Sequence, residues 1–145
     1  MNILFLTLSD FNTIYGTGIY QDLIREFKKH NHNVFVISPV EKRKAKRTYL
    51  IKDKNITILK LKIGNTQKTN VIEKGISTVF IETIFIAGIK KYFSDTKFEL
   101  LLYSTPPITF CNVIKYIKKR DNAKSYLLLK DIFPQNAVDI GMMCK

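Results

Sequence analysis

The stretch "YGTGIYQDLIREFKKHNHNVFVI", Tyr15–Ile37, decides how this chain folds, together with the apolar run Ile3–Leu8 that precedes it. Ile19, Leu23, Ile24 and Phe27 recur at the spacing of one helix face, which predicts a helix over Ile19–Lys29. "NVFVIS", Asn33–Ser38, reads as a buried strand ended by Ser38-Pro39. Strand, glycine-bearing loop, amphipathic helix and strand is how many nucleotide-binding domains begin.

The same alternation continues along the chain. A basic stretch, "EKRKAKRTYLIKDK", is expected to be a loop, and "NITILKLKI" alternates like a half-buried strand over Ile56–Ile63. Asn70–Phe93 is predicted to be a long helix with a broad apolar surface. "FELLLYS" is a fourth strand, and "PPITFCNVIKYIKKR" a helix capped by Ser104 or Thr105 with Pro106 or Pro107 in its first turn. "KSYLLLKDIF" is a fifth strand, and "PQNAVDIGMMCK" is long enough to begin another helix. Continuous apolar strands separated by helices imply a parallel sheet covered on both faces. Right-handed crossovers make it a Rossmann-like, doubly wound α/β fold. The pattern stops after the fifth strand, so the chain reads as the first part of a larger fold.

The composition sets bounds on function. A chain of 145 residues holds one domain with a proper core. Its net charge of +12 favours anionic partners: nucleic acid, lipid headgroups or phosphorylated substrates. Abundant Ile and Lys also follow from genomic base composition, so charge alone names no partner. Cys111 and Cys144 match no metal or redox spacing and suit a reducing compartment. Met1–Leu8 lacks the features of a signal peptide. "ISTVFIETIFIAGI", Ile76–Ile89, contains Glu82 and falls short of the roughly 20 residues that span a bilayer. A cytoplasmic protein is expected.

Gly16-Thr17-Gly18 does not complete a dinucleotide fingerprint. The third glycine position is Gln21, the loop after the first strand is long, and the second strand ends without a carboxylate for a ribose. Two readings of the loop stay open. Its backbone N–H groups can meet an anion or a sugar at the start of the helix, or the glycines serve only a sharp turn.

Four segments, in order, resemble the N-terminal domain of GT-B-fold glycosyltransferases, specifically the family-four group that builds bacterial surface and capsular polysaccharides. They are "YGTGIYQDLIREF" with its long preceding loop, the helix exit "KHNHNVFVIS", "LLLYSTPP", and "LLLKDIFPQNAVDIGMM". At the helix exit Asn31-His32 stands where the family usually has Gly-His, and Asn is the next best left-handed cap. The resemblance spans essentially the whole chain and implies an acceptor-binding domain, the incomplete N-terminal half of a GT-B fold. In such enzymes a C-terminal domain binds the nucleotide sugar, and transfer, with retention in this family, occurs in the cleft between the two.

By that resemblance Gly16, Thr17 and Gly18 line the acceptor and donor-phosphate side, and Ser104 and Thr105 the cleft edge. Asp131 would orient an acceptor hydroxyl, or else cap the next helix or pair with a lysine. The implied partners are a lipid-linked saccharide acceptor, an anionic membrane surface and a C-terminal donor-binding domain or subunit. No cofactor is implied beyond the nucleotide-sugar donor, and no metal. Two departures stand out. The family's carboxylate motif for the donor belongs to a domain this chain lacks, so the chain alone is expected to catalyse nothing. Many members also place a histidine after the fourth strand, where Tyr103-Ser104-Thr105 stands.

The other conspicuous features leave alternatives. His30 and His32 have no third ligand at metal spacing and suit a helix end, where imidazole satisfies last-turn carbonyls. Lys42, Arg43, Lys44, Lys46 and Arg47 would lie against anionic lipid at the inner face of the membrane, form a solvated loop, or touch nucleic acid, for which no aromatic platform is visible. The Asn70–Phe93 helix is a core element whose surplus apolar area leaves room for a membrane-dipping face or a subunit interface. The rival classes are a non-catalytic flavodoxin-like binding or regulatory module and a basic nucleic-acid-binding domain. A phosphate-receiving module needs clustered acids, and only Asp10 and Asp131 are candidates.

Overall fold

The structure is a computed structural model. It describes residues 1–44, 46–65, 71–104, 110–129, 138 and 141, with the backbone alone for 71–78. Six strands form one sheet: β1 (Asn2–Leu6), β2 (Asn33–Glu41), β3 (Tyr49–Asp53), β4 (Ile56–Ile63), β5 (Leu100–Ser104) and β6 (Lys124–Leu128). Their order is β3-β4-β2-β1-β5-β6, all parallel except β3, which runs antiparallel to β4. Helix α1 (Ile19–Lys29) covers one face, and α2 (Val71–Tyr92) and α3 (Cys111–Asp121) the other. The fold is thus a doubly wound, Rossmann-like α/β sheet.

The strands are apolar on both sides because both faces are covered. On the α2/α3 side Leu4, Leu6, Leu59, Leu61 and Leu101 pack against Ile81, Phe85 and Ile89 of α2 and Val113 and Ile117 of α3. On the α1 side Ile3, Phe5, Val34, Val36, Ile56 and Ile58 pack with Ile24. Helix α1 ends as its sequence implies. Asn31 takes a left-handed φ of 58°, and the His32 N–H bonds Phe27 O at 3.0 Å. His30 Nε2 lies 3.9 Å from Glu26, and the His32 ring packs 6.0 Å from Phe27.

Three expectations need correction. The basic stretch is not all loop, because a short 3-10 turn, Lys42–Lys44, is followed by β3. A two-residue turn at Lys54-Asn55 then reverses the chain into β4, with Lys54 at φ 50° and the Asn55 amide donating to His32 O at 2.6 Å. Nor does β2 stop at Ser38-Pro39, since it runs on through Glu41. Ile37 O faces β1, accepting from Thr7 N at 3.1 Å. Pro39, two residues on, faces the same side, where β1 has already ended, so its missing N–H deprives no ladder. Finally, Ser104, one of the two expected caps, closes β5, and the α-helical part of the third helix runs from Cys111, preceded by Phe110 in a 3-10 turn. Thr105, Pro106 and Pro107 lie outside the described residues.

Candidate functional site

Strand order reverses at β1, which has β2 on one side and β5 on the other. In open α/β sheets ligands bind outside the carboxyl ends of the strands at such a switch point. Here that edge carries the Thr7–Gly18 connection, the end of β5 and the end of β6.

The long connection is fastened by a polar cluster at its root. Lys60 on β4 is fully buried, and its Nζ donates to Asp10 Oδ1 (2.5 Å), Ser38 Oγ (2.9 Å) and Phe11 O (3.2 Å). The Ser38 hydroxyl donates to Ser9 O at 2.7 Å and accepts from Phe11 N at 2.9 Å. Lys44 pairs with the other oxygen of Asp10. Burial raises the Asp10 carboxyl, but the two ammoniums outweigh it and hold it down to about 2. Burial pushes Lys60 below its ordinary value, against the pull of Asp10. Asp10 is therefore committed to tethering the connection, which leaves it a poor phosphate acceptor.

Beyond the root, the connection does the work of a helix. Phe11 and Ile14 are buried among Val34, Val36, Ile56 and Ile58, closing the part of the face that α1 does not reach. Tyr15 is exposed, and its hydroxyl donates to Asp53 Oδ2 at 2.7 Å, which also accepts from Lys28 Nζ at 3.1 Å. This length is why no tight dinucleotide turn can form.

The glycine segment is held from behind. Arg25 Nη1 of α1 donates to Ile14 O at 2.5 Å and Gly16 O at 2.7 Å, and Arg25 also pairs with Asp22. Gly18 sits at φ 153°, and a Cβ there would lie 2.6 Å from Gln21 Oε1. Gln21 thus folds back over the helix start that a third glycine would leave open. Gly16 and Gly18 are half-buried and Thr17 is exposed. An apolar hollow adjoins this segment, lined by Ile19 and Tyr20 of α1 and by Tyr126–Leu129 at the end of β6. Ser104 is buried at the end of β5, paired with Leu128.

The structure brings together Gly16, Thr17 and Gly18, the hollow and the β5 and β6 ends; Thr105 and Asp131 lie outside the described residues. The basic run follows the carboxyl end of β2 and is tied to the root of the connection through Lys44. Arg43 Nε pairs with Glu41 at 2.6 Å, Lys44 with Asp10, and Lys46 Nζ sits 6.0 Å from the Tyr49 ring centre. Lys42 and Arg47 are exposed. Sequence reasoning missed Arg25, Lys60 and the hollow. The available signal for the second was weak, since Lys60 stands two residues after Ile58 and two before Lys62 in β4. Among the described residues no three His, Cys, Asp or Glu side chains gather as a metal site. Among them, too, no helix is long and apolar enough to cross a membrane.

Neither a protein-family model nor a curated protein matches this sequence. The chain is similar in structure to one described as "Trehalose-6-phosphate from E. coli bound with UDP-2-fluoro glucose", a GT-B glycosyltransferase, with a TM-score of 0.60 and 6% identity. The match covers 88% of this chain and 32% of that one. At that identity the likeness is one of fold, and the mostly parallel six-stranded sheet flanked by helices is similar to the GT-B fold.

Proposed function

We propose that this chain is the acceptor-side domain of a glycosyltransferase of the family-four type. Its complete enzyme moves a sugar from a nucleotide-sugar donor to a lipid-linked saccharide in surface polysaccharide synthesis. The observation that carries the reading is the carboxyl edge beside β1. The Gly16-Thr17-Gly18 segment, with Thr17 exposed and Gly16 fixed by Arg25, borders an apolar hollow with Tyr20 and Tyr126 in its lining. Sugar rings present apolar faces that suit aromatic side chains, and hydroxyls that suit backbone N–H groups. The GT-B-like fold supports the reading.

In this reading a donor-binding domain or subunit faces the same edge, and Asp131 orients the acceptor hydroxyl. Lys42, Arg43, Lys44, Lys46 and Arg47 touch anionic lipid at the inner face of the membrane, each adding roughly 1 kcal/mol near the surface. Arg43 and Lys44 contribute less, since carboxylates already engage them. The test is equilibrium binding of a short-chain polyprenyl-linked saccharide and of a random oligonucleotide, each at low and high salt. Saccharide binding that hardly changes with salt is expected. Oligonucleotide binding alone, collapsing as salt rises, would establish the nucleic-acid reading instead.

A further inference from the structure

We infer that the outward face of α2 is a membrane-insertion surface, entering the headgroup region of an anionic bilayer. Helix α2 buries Ile81, Phe85 and Ile89 against the sheet. At 100° per residue its opposite arc holds Val79, Phe80, Thr83, Ala87, Lys90 and Lys91. Val79 is 74% and Phe80 55% exposed. A helix of globular proteins normally turns charge toward water on this side. Here the described part of that arc carries no charge from Val79 to Ala87, and Lys90 and Lys91 follow at its end.

The neighbouring helix supplies the rest. Lys115, Lys118 and Lys119 project from the exposed side of α3, and Lys90 Nζ lies 5.4 Å from the Tyr116 ring centre, joining the two helices. From Val79 onward the carboxylates carried on α2 and α3 are both engaged within the fold. Glu82 accepts from Asn112 N at 2.7 Å, and buried Asp121 accepts from Phe98 N at 3.1 Å. Among the described side chains of the two helices, five lysines therefore flank an aromatic and a branched aliphatic side chain, against Glu82 held by Asn112 and Asp121 held by Arg120.

That chemistry fits a negatively charged, laterally mobile surface with an apolar layer just beneath it. Apolar side chains enter the headgroup boundary while lysines meet anionic lipid. A second copy of this chain fits poorly, because a two-fold contact would set the same lysines against each other. The inference extends the lipid contact of Lys42–Arg47 to a different surface, and it does not depend on glycosyl transfer.

The chain contains no tryptophan, so Phe80→Trp creates a single reporter at the apex of the face. With vesicles of phosphatidylcholine and the anionic lipid phosphatidylglycerol, its emission should shift to the blue. Lipids brominated in the acyl chain should quench it. Phe80→Ser should weaken vesicle partition about tenfold, the factor for losing one half-buried aromatic contact. Val79→Trp repeats the experiment one position away, should Phe80→Trp disturb folding by circular dichroism. Sedimentation with vesicles and no change in Trp emission at either position would overturn the inference, leaving the basic run as the contact. A blue shift without vesicles that grows with protein concentration would overturn it in favour of self-association.

Discussion

Asp10→Asn should destabilise the fold more than Lys60→Met, although it is the smaller change. Lys60 Nζ is completely buried and Asp10 is its only anionic partner among the described residues. With Asn at position 10 the ammonium keeps two neutral acceptors, Phe11 O and Ser38 Oγ. Breaking a buried pair by removing one charge costs about 3–5 kcal/mol. Asp10 itself is 39% exposed, and water entering beside it places the expected loss near about 3 kcal/mol. Lys60→Met instead removes the desolvated charge and leaves Asp10 to Lys44 and solvent. The remaining cost, chiefly the unpaired Phe11 carbonyl, is about 1–2 kcal/mol.

The double variant should therefore resemble Lys60→Met and not the sum. Urea unfolding followed by circular dichroism reads these differences as midpoint shifts. About 3 kcal/mol corresponds to a shift of roughly 1.5–2 M. Additive single costs, or an Asp10→Asn loss below about 1 kcal/mol, would refute the picture of an ammonium held out of water. The same pair sets a pH dependence. The folded Asp10 carboxyl, held down to about 2 from 3.8, contributes stability above about pH 4 that is lost as the pH falls toward 2. Solvent screening reduces that contribution to about 1 kcal/mol. Asp10→Asn should show a flatter acid limb over that window.

Three further outcomes follow from the packing. Gly88→Ala should lower the urea midpoint despite the better helix propensity of alanine. Its Cβ would lie 2.7 and 2.9 Å from the two Leu61 methyls, which are buried and have no room to move, at about 1–3 kcal/mol. Gly18→Val should lower the melting temperature through its φ of 153°, whereas Gly16→Ala, whose Cβ meets nothing nearer than 3.9 Å, should be tolerated. Unchanged saccharide binding by Gly18→Val would reduce the glycine to a turn residue. Arg25→Ala should speed amide hydrogen exchange over residues 13–18 while leaving β1 and β2 protected, because Ile14 O and Gly16 O lose their donor.

The elements with one clear periodicity were legible in the sequence. Helix α1 runs over the expected Ile19–Lys29, α2 falls within Asn70–Phe93, and β4 is the expected Ile56–Ile63. What was hidden depended on contacts distant in sequence. Strand β3 is an edge strand of five residues inside a cationic run, and its turn, Lys54-Asn55, lacks the Asn-Gly or Asp-Gly signature. Pro39 reads as a strand end because a sequence cannot tell that β1 stops one step earlier on that side. Lys60 reads as the polar partner in an alternating strand, yet it is buried, since its charge reaches across 50 positions to Asp10.

The site was legible in outline and not in detail. The composition of Gly16-Thr17-Gly18 marks either a ligand-facing loop or a sharp turn into α1. The role of the preceding residues as a cover over β2 and β4 needs the sheet order, and the hollow beside Ile19 needs β6 in place.

The most direct measurement of the central claim is a nitrogen–proton correlation NMR titration of the labelled chain with a short-chain polyprenyl-linked saccharide. Amide shifts concentrated at Gly16, Thr17, Gly18 and Ser104, joined by Tyr20 and Tyr126 and persisting at high salt, are expected. Shifts confined to Lys42–Arg47 that vanish with salt, or no shifts at the carboxyl edge at saturating saccharide, would contradict an acceptor site there.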